Sequence, residues 1–208
     1  MKQSEVKELH FITHIENLVS ICKSGILCYN KAKKLKPKSV AEPGVQERRE
    51  SVVVPGANKK LHEFANLYFN ARNPMMFKRR SAHEKICILA VSNKILDEKD
   101  VIVTDMNASR GYVKFLAMPH GLSHLDKDLI YAEYWNHEDP IEKYRRAGAI
   151  CSEALIPRDI EPRFIEKIYV SCDQTRQSIQ KLIEGHPLSD NVVVRPYLFF
   201  QSSEDVTW

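Results

Sequence analysis

The feature that most constrains this chain is the uninterrupted apolar run from Ile86 to Val91. A half-exposed strand alternates apolar and polar residues, and an amphipathic helix repeats them every three to four. An unbroken run this short, far below the ~20 residues of a membrane helix, reads as a strand covered on both faces. It demands a sheet with a layer on either side. The 208 residues, 43% of them hydrophobic, suffice for one such core and are few for two. Residues 1–208 are therefore read as a single domain. Charged residues make up 28%, a balance that excludes disorder over most of the chain and a fibrous design.

The first residues, Met1-Lys2-Gln3-Ser4-Glu5, are polar and carry no apolar signal core. The expectation is a cytoplasmic protein without a membrane segment. Five cysteines, Cys22, Cys28, Cys87, Cys151 and Cys172, are an odd number with no CxxC pair. Reduced thiols are expected rather than a disulfide framework or a zinc knuckle, and no metal site. The net charge of +4 permits nucleic-acid binding without establishing it.

Along the chain, Ile12 to Ile15 reads as a short strand, Glu16 to Lys23 as a helix capped by Gly25, and Ile26 to Tyr29 as a strand. Residues 30–50 hold Lys31, Lys33, Lys34, Lys36 and Lys38 with Pro37, Pro43 and Gly44, a long basic loop of the kind that binds ligands. Val52 to Val54 is strand-like, and Leu61 to Phe69 has helical spacing that Asn73-Pro74 ends. Further strands are expected at Val101 to Thr104, Ala149 to Ile156, Ile165 to Val170 and Asn191 to Phe200. Residues 113–147 read as helical or irregular, and Thr175 to Glu184 as an amphipathic helix. Strands and helices do not alternate strictly, so an α+β fold with a mixed or split sheet fits better than a doubly wound one.

Walker A, GxGxxG, GxSxG and HExxH motifs are all absent, and seven glycines supply no glycine-rich phosphate loop. Glu153 is the most informative residue. A glutamate inside an apolar β-segment is costly unless it is paired or functional, the plain alternative being the solvent face of a half-exposed strand. His14, beside Thr13 and Asn17, is either a site residue or a structural histidine at a helix start. Asn70 to Phe77 places Met75, Met76 and Phe77 in a proline-broken segment suited to holding a flat ring.

In order, these segments resemble the DarT family, the DNA ADP-ribosyltransferase toxins of bacterial DarT–DarG toxin–antitoxin systems. The markers are Ile12-Thr13-His14-Ile15-Glu16-Asn17-Leu18, Val45-Gln46-Glu47-Arg48-Arg49, Leu61-His62-Glu63-Phe64, Tyr68 to Met76, Thr104-Asp105-Met106-Asn107-Ala108 and Ser152-Glu153-Ala154-Leu155-Ile156-Pro157. Cys151-Ser152 stands where the family usually has Gln-Ala. The resemblance implies an ADP-ribosyltransferase fold: a split, twisted β-sheet core with an NAD cleft and flanking helices. It implies transfer of ADP-ribose from NAD to a thymine or guanine base of single-stranded DNA, with nicotinamide released. It also implies a partner, a DarG-like macrodomain antitoxin.

On this resemblance Glu153 is the catalytic carboxylate, suited to stabilise an oxocarbenium-like ribose and take the proton of the incoming base. Arg49, or its neighbour Arg48, holds the diphosphate or polarises the base. Thr13, His14, Asn17, Arg48, Tyr68 and Met76 bind NAD. Lys36, Lys78, Arg79 and Arg80 contact DNA phosphates. Two other readings stand beside it: an ADP-ribosyltransferase acting on protein or RNA, and an inactive nucleic-acid-binding module. Cys151, two positions before Glu153, replaces the acidic or amide residue typical of protein-modifying relatives, which favours the nucleic-acid branch.

Overall fold

In the computed structural model, which describes residues 1–201, the strands are β1 (Glu8–His14), β2 (Val53–Val54), β3 (Lys59–Lys60), β4 (Ala65–Tyr68), β5 (Ile86–Ser92), β6 (Ile102–Thr104), β7 (Phe115–Ala117), β8 (Glu153–Ile156), β9 (Ile165–Val170) and β10 (Val192–Val194). The α-helices are α1 (Leu18–Ser24), α2 (Tyr29–Ala32), α3 (Pro43–Ser51), α4 (Pro74–Arg79), α5 (Lys127–Ile130), α6 (Pro140–Ala149) and α7 (Asp173–Leu182). Eight strands form one sheet in the order β10-β9-β5-β1-β4-β8-β6-β7, while β2 and β3 pair separately. Among the described residues, only β9 and β10 run parallel. β1 and β5 pair along their whole length, but β1 meets β4 at a single registered pair, His10 with Tyr68. The sheet is thus split into halves joined at one point, as the resemblance implies.

β5 is covered on both faces, as its unbroken apolar run requires. Cys87, Leu89 and Val91 enter one core with Leu9, Leu67, Val103, Ala154 and Ile168. Ile86, Ile88 and Ala90 enter a second with Ile12, Tyr68, Tyr169 and Phe199. Each fully buried aliphatic side chain contributes about 1.5–3 kcal/mol, which is why this strand sits inside the sheet. Gly25 caps α1 at a φ of 76°. A Cβ there would lie 2.0 Å from the Ile160 carbonyl oxygen, so no other residue fits this cap.

Several local expectations change. Residues 61–69 are a 3-10 turn followed by β4. Ala65, Leu67 and Phe69 face one core while Tyr68 faces the other, a period of two that a short apolar run shares with helical spacing. The expected loop 30–50 contains α2 and α3; α3 starts at Pro43 and buries only Arg49, so no apolar stripe announces it. Residues 149–152 finish α6 and turn, leaving the strand to begin at Glu153. Ile26 makes one isolated bridge, to Ile160, rather than a strand. β10 stops at Val194 because Pro196 opens a 3-10 turn. β1 begins at Glu8, four residues before the expected start, and β7 lies within the segment read as helical or irregular. Among the described residues, no helix is long and apolar enough to cross a membrane.

Candidate active site

The helical phase of α3 separates two consecutive arginines. Arg48 is exposed, while Arg49 is buried and turns inward to Glu153, the first residue of β8. Arg49 Nη1 donates to Glu153 Oε1 at 2.9 Å and Nη2 to Oε2 at 3.0 Å. Oε1 also accepts the Ala108 N–H at 2.9 Å. The Glu153 N–H donates to Thr104 Oγ1, whose own proton goes to the Met106 carbonyl. Glu153 has no solvent exposure at all. A buried ion pair loses the hydration of both partners and persists only with good geometry and further hydrogen bonds; the two-point fork and the Ala108 N–H provide both here. The turn after β6 presents that N–H, a contribution sequence reading missed. The Thr104-Asp105-Met106-Asn107-Ala108 stretch was its only signal.

Charges around the pair reinforce one another. Burial by itself weakens the Arg49 charge, but Glu153 more than offsets this and holds Arg49 above its ordinary range. Burial, then the Glu153 charge, raises the Tyr68 phenol, which stands directly across the sheet from Glu153. The same two causes push the Cys151 thiol up to about 12. Tyr68 and Cys151 are therefore neutral neighbours of the Arg49–Glu153 pair.

Above the pair opens a cleft of about 1300 Å³, lined by Phe11, Ile12 and Thr13 of β1 and by Asn66 and Tyr68 of β4. It thus sits at the join of the two half-sheets. Its lining holds eight lysines and arginines against four glutamates, a surplus suited to phosphate groups. Arg49 lines this cleft and Glu153 lies behind it. At one end Tyr29 stacks on His62 with ring centroids 4.0 Å apart. His62 is held by a 3.1 Å hydrogen bond from Nε2 to Gln46 Oε1. Sequence reading gave this aromatic pair no role; only the stacking of two distant segments reveals it.

The other expected residues divide. Thr13, Asn17, Arg48, Tyr68, Lys36, Lys78 and Arg79 all line the cleft. His14 does not: its ring accepts the Glu16 N–H and caps the turn before α1, the structural alternative. Met76 is fully buried in the second core, and Met75, 3.8 Å from the Tyr68 hydroxyl, takes the place at the cleft. The reason is that Asn73 caps α4 by accepting from both the Met75 and Met76 N–H groups, which fixes the helical phase. Lys78 is exposed and pairs with Glu42 at 2.8 Å. Arg80, also exposed, lays its guanidinium 3.9 Å over the Phe77 ring. Among the described residues, no group of three or more His, Cys, Asp or Glu side chains is placed to hold a metal ion.

Residues 10–200 match the family described as "ssDNA thymidine ADP-ribosyltransferase, DarT". The chain is 30% identical over 208 residues to a DNA ADP-ribosyl transferase–DNA ADP-ribosyl glycohydrolase fusion protein of Thermosipho africanus, covering 96% of this chain and 51% of that protein. It thus spans about half the length of that relative. It is 27% identical over 193 residues to a DNA ADP-ribosyl transferase of a Thermus species, covering 88% of this chain and 90% of that protein. The fold superposes on Thermus sp. 2.9 DarT in complex with ADP-ribosylated ssDNA with a TM-score of 0.81, at 25% identity, covering 96% of this chain and 99% of that one. A match over nearly the whole chain, on a fold with a split sheet, places this protein in the DarT family of ssDNA thymidine ADP-ribosyltransferases.

Proposed function

We propose that this chain is a DNA-modifying toxin that transfers ADP-ribose from NAD to thymidine in single-stranded DNA and releases nicotinamide. The observation that carries this reading is the buried, two-point Arg49–Glu153 pair, with Arg49 lining a cationic cleft and Glu153 directly behind it. The family match, and the Thermus relative solved with ADP-ribosylated ssDNA, supply the substrate classes.

The cleft fits NAD as co-substrate: its cations suit a diphosphate, and the Tyr29–His62 stack suits a flat ring. Bound NAD supplies an activated glycosidic carbon whose leaving group departs with its bonding electrons. Glu153 stabilises the positive charge that develops there and accepts the proton lost by the thymine nitrogen as the new bond forms. Oε2 accepts from Arg49, whereas Oε1 accepts from both Arg49 and the Ala108 N–H. Arg49 keeps the carboxylate aimed, and the exposed Arg48 reaches the diphosphate. Thr13, Tyr68 and Met75 shape the sugar and ring pockets. Lys36, Lys78 and Arg80 meet DNA phosphates. Residues 1–208 act as one domain.

The relative from Thermosipho africanus joins a transferase to a glycohydrolase. This supports a macrodomain antitoxin of DarG type as the partner here, in the cytoplasm, where NAD and exposed single strands coexist. The test is incubation with NAD and short oligonucleotides carrying single-base changes, read as mass shifts. One added ADP-ribose that disappears when thymidine is replaced is the expected result. Modification of RNA or protein instead, or none, overturns it.

A further inference from the structure

Residues 36–42 run without regular structure into α3, and every one of them lines the cleft. A segment of this kind stays in place only if its backbone is tied down. Two side chains do so from opposite walls. Asn17 grips Lys38 with both ends of its amide: Nδ2 donates to the Lys38 carbonyl at 2.9 Å, and Oδ1 accepts the Lys38 N–H at 3.0 Å. Nδ2 is also 3.0 Å from Thr13 Oγ1, which ties the grip to β1. From the far wall, at the end of α4, Arg79 donates through Nε to the Val40 carbonyl at 2.9 Å and through Nη2 to the Ala41 carbonyl at 3.3 Å. Between these points the Val40 side chain packs on the second core. The Lys78–Glu42 pair beside them is exposed and adds little.

The basic run therefore contains residues of two kinds. Lys78 and Arg80 are exposed, and the Arg80 guanidinium donates to the Phe77 carbonyl of its own turn, whereas Arg79 is half-buried and its guanidinium reaches across to the Val40 and Ala41 carbonyls. We propose that Asn17 and Arg79 are positioning residues that clamp residues 38–41 across the cleft, so that retention of NAD depends on them while DNA phosphate binding does not. The proposal rests on the cleft being the NAD site.

The experiment compares Asn17→Ala, Arg79→Ala, Arg79→Lys and the Asn17→Ala/Arg79→Ala double variant in the full chain. In the absence of ligand, both alanine variants should speed hydrogen exchange at the Lys38 and Ala41 amides. The NAD dissociation constant should rise roughly tenfold, the change expected if the clamped state falls to about a tenth of the population. The turnover number at saturating NAD should change far less, and the salt dependence of oligonucleotide binding should not change. Arg79→Lys, able to reach one carbonyl, should recover part of the affinity. The double variant should lose less than the two single losses combined, because both residues hold one segment.

Unchanged exchange at Lys38 and Ala41 overturns the clamp. So does an Arg79→Ala variant that keeps its NAD affinity and flattens the salt dependence, which makes Arg79 a phosphate contact. If Arg79→Ala does not fold, Asn17→Ala carries the same exchange and affinity measurements. Wild-type protein that binds no NAD overturns the retention role together with the reading it rests on, while the ligand-free exchange data still decide the clamp.

Discussion

Arg49 and Glu153, 104 residues apart in the chain, meet so that each terminal nitrogen of the guanidinium faces one oxygen of the carboxylate, at 2.9 and 3.0 Å. Removing the carboxylate alone leaves a buried cation without its partner. Glu153→Ala should therefore lose about 3–5 kcal/mol of stability as well as activity. Glu153→Gln keeps the shape and one acceptor. It should fold and still bind NAD yet transfer ADP-ribose at least ~10²–10³-fold more slowly. Denaturant unfolding read beside single-turnover transfer checks both; near-normal transfer by folded Glu153→Gln refutes the catalytic role.

The two arginines should separate cleanly. Arg49→Lys retains a charge but loses the fork, so transfer should fall by about 10²-fold even at low salt. Arg48→Ala, which removes an exposed side chain, should mainly raise KM for NAD. Steady-state kinetics in both NAD and oligonucleotide distinguish these patterns; the reverse assignment would show Arg48→Ala with the larger loss in kcat.

Tyr29 is 41% exposed on one end of the cleft and stacks on His62. Tyr29→Ala should raise KM for NAD about tenfold, consistent with the worth of a ring contact, and Tyr29→Phe should restore it. An unchanged KM in the alanine variant would mean the stack holds α2 in place and nothing more.

Cys151 gives a pH signature. Its thiol rises from 9.0 to about 12 in the folded chain, through burial and then the Glu153 charge. The folded state thus holds its proton more tightly than the unfolded state. This contribution is complete below the unfolded value and fades as pH climbs from 9.0 towards 12. Stability should fall across that window, less steeply in Cys151→Ala. Alkylation at pH about 8 should spare Cys151 in the native protein and reach it after denaturation.

Lys78 and Arg80 carry the electrostatic prediction. Replacing both with alanine should weaken oligonucleotide binding for every sequence and reduce the salt slope by about one unit per lost phosphate contact. Titration between low and physiological salt reads this directly, and an unaltered slope would make them ordinary surface charges.

The parts legible in the sequence are those that a single segment encodes. β5 shows itself through unbroken hydrophobicity, and Glu153 through a charge that an apolar strand does not otherwise tolerate. α3 does not show itself, because its buried residue is Arg49 and it has no apolar face. The role of Arg79 was equally out of reach. Its partners are the carbonyls of Val40 and Ala41, and every residue has a carbonyl. His14 and Met76 each lie one position from a residue that lines the cleft, Thr13 and Met75. The cap at His14 and the Asn73 cap decide which neighbour faces the cleft, and neither cap has a pattern that fixes direction.

The meeting of β1 and β4 at His10 and Tyr68 has one more consequence. His10 also bonds the Phe69 carbonyl through Nδ1 and Glu8 through Nε2, each at 3.2 Å. One histidine therefore acts as a rivet between two jaws, one bearing Thr13 and the other Tyr68 and Glu153. The gape of the jaws is set there, one strand from Tyr68, which in turn stands opposite Glu153. A change at His10, which does not line the cleft, should reset the spacing of the residues that do.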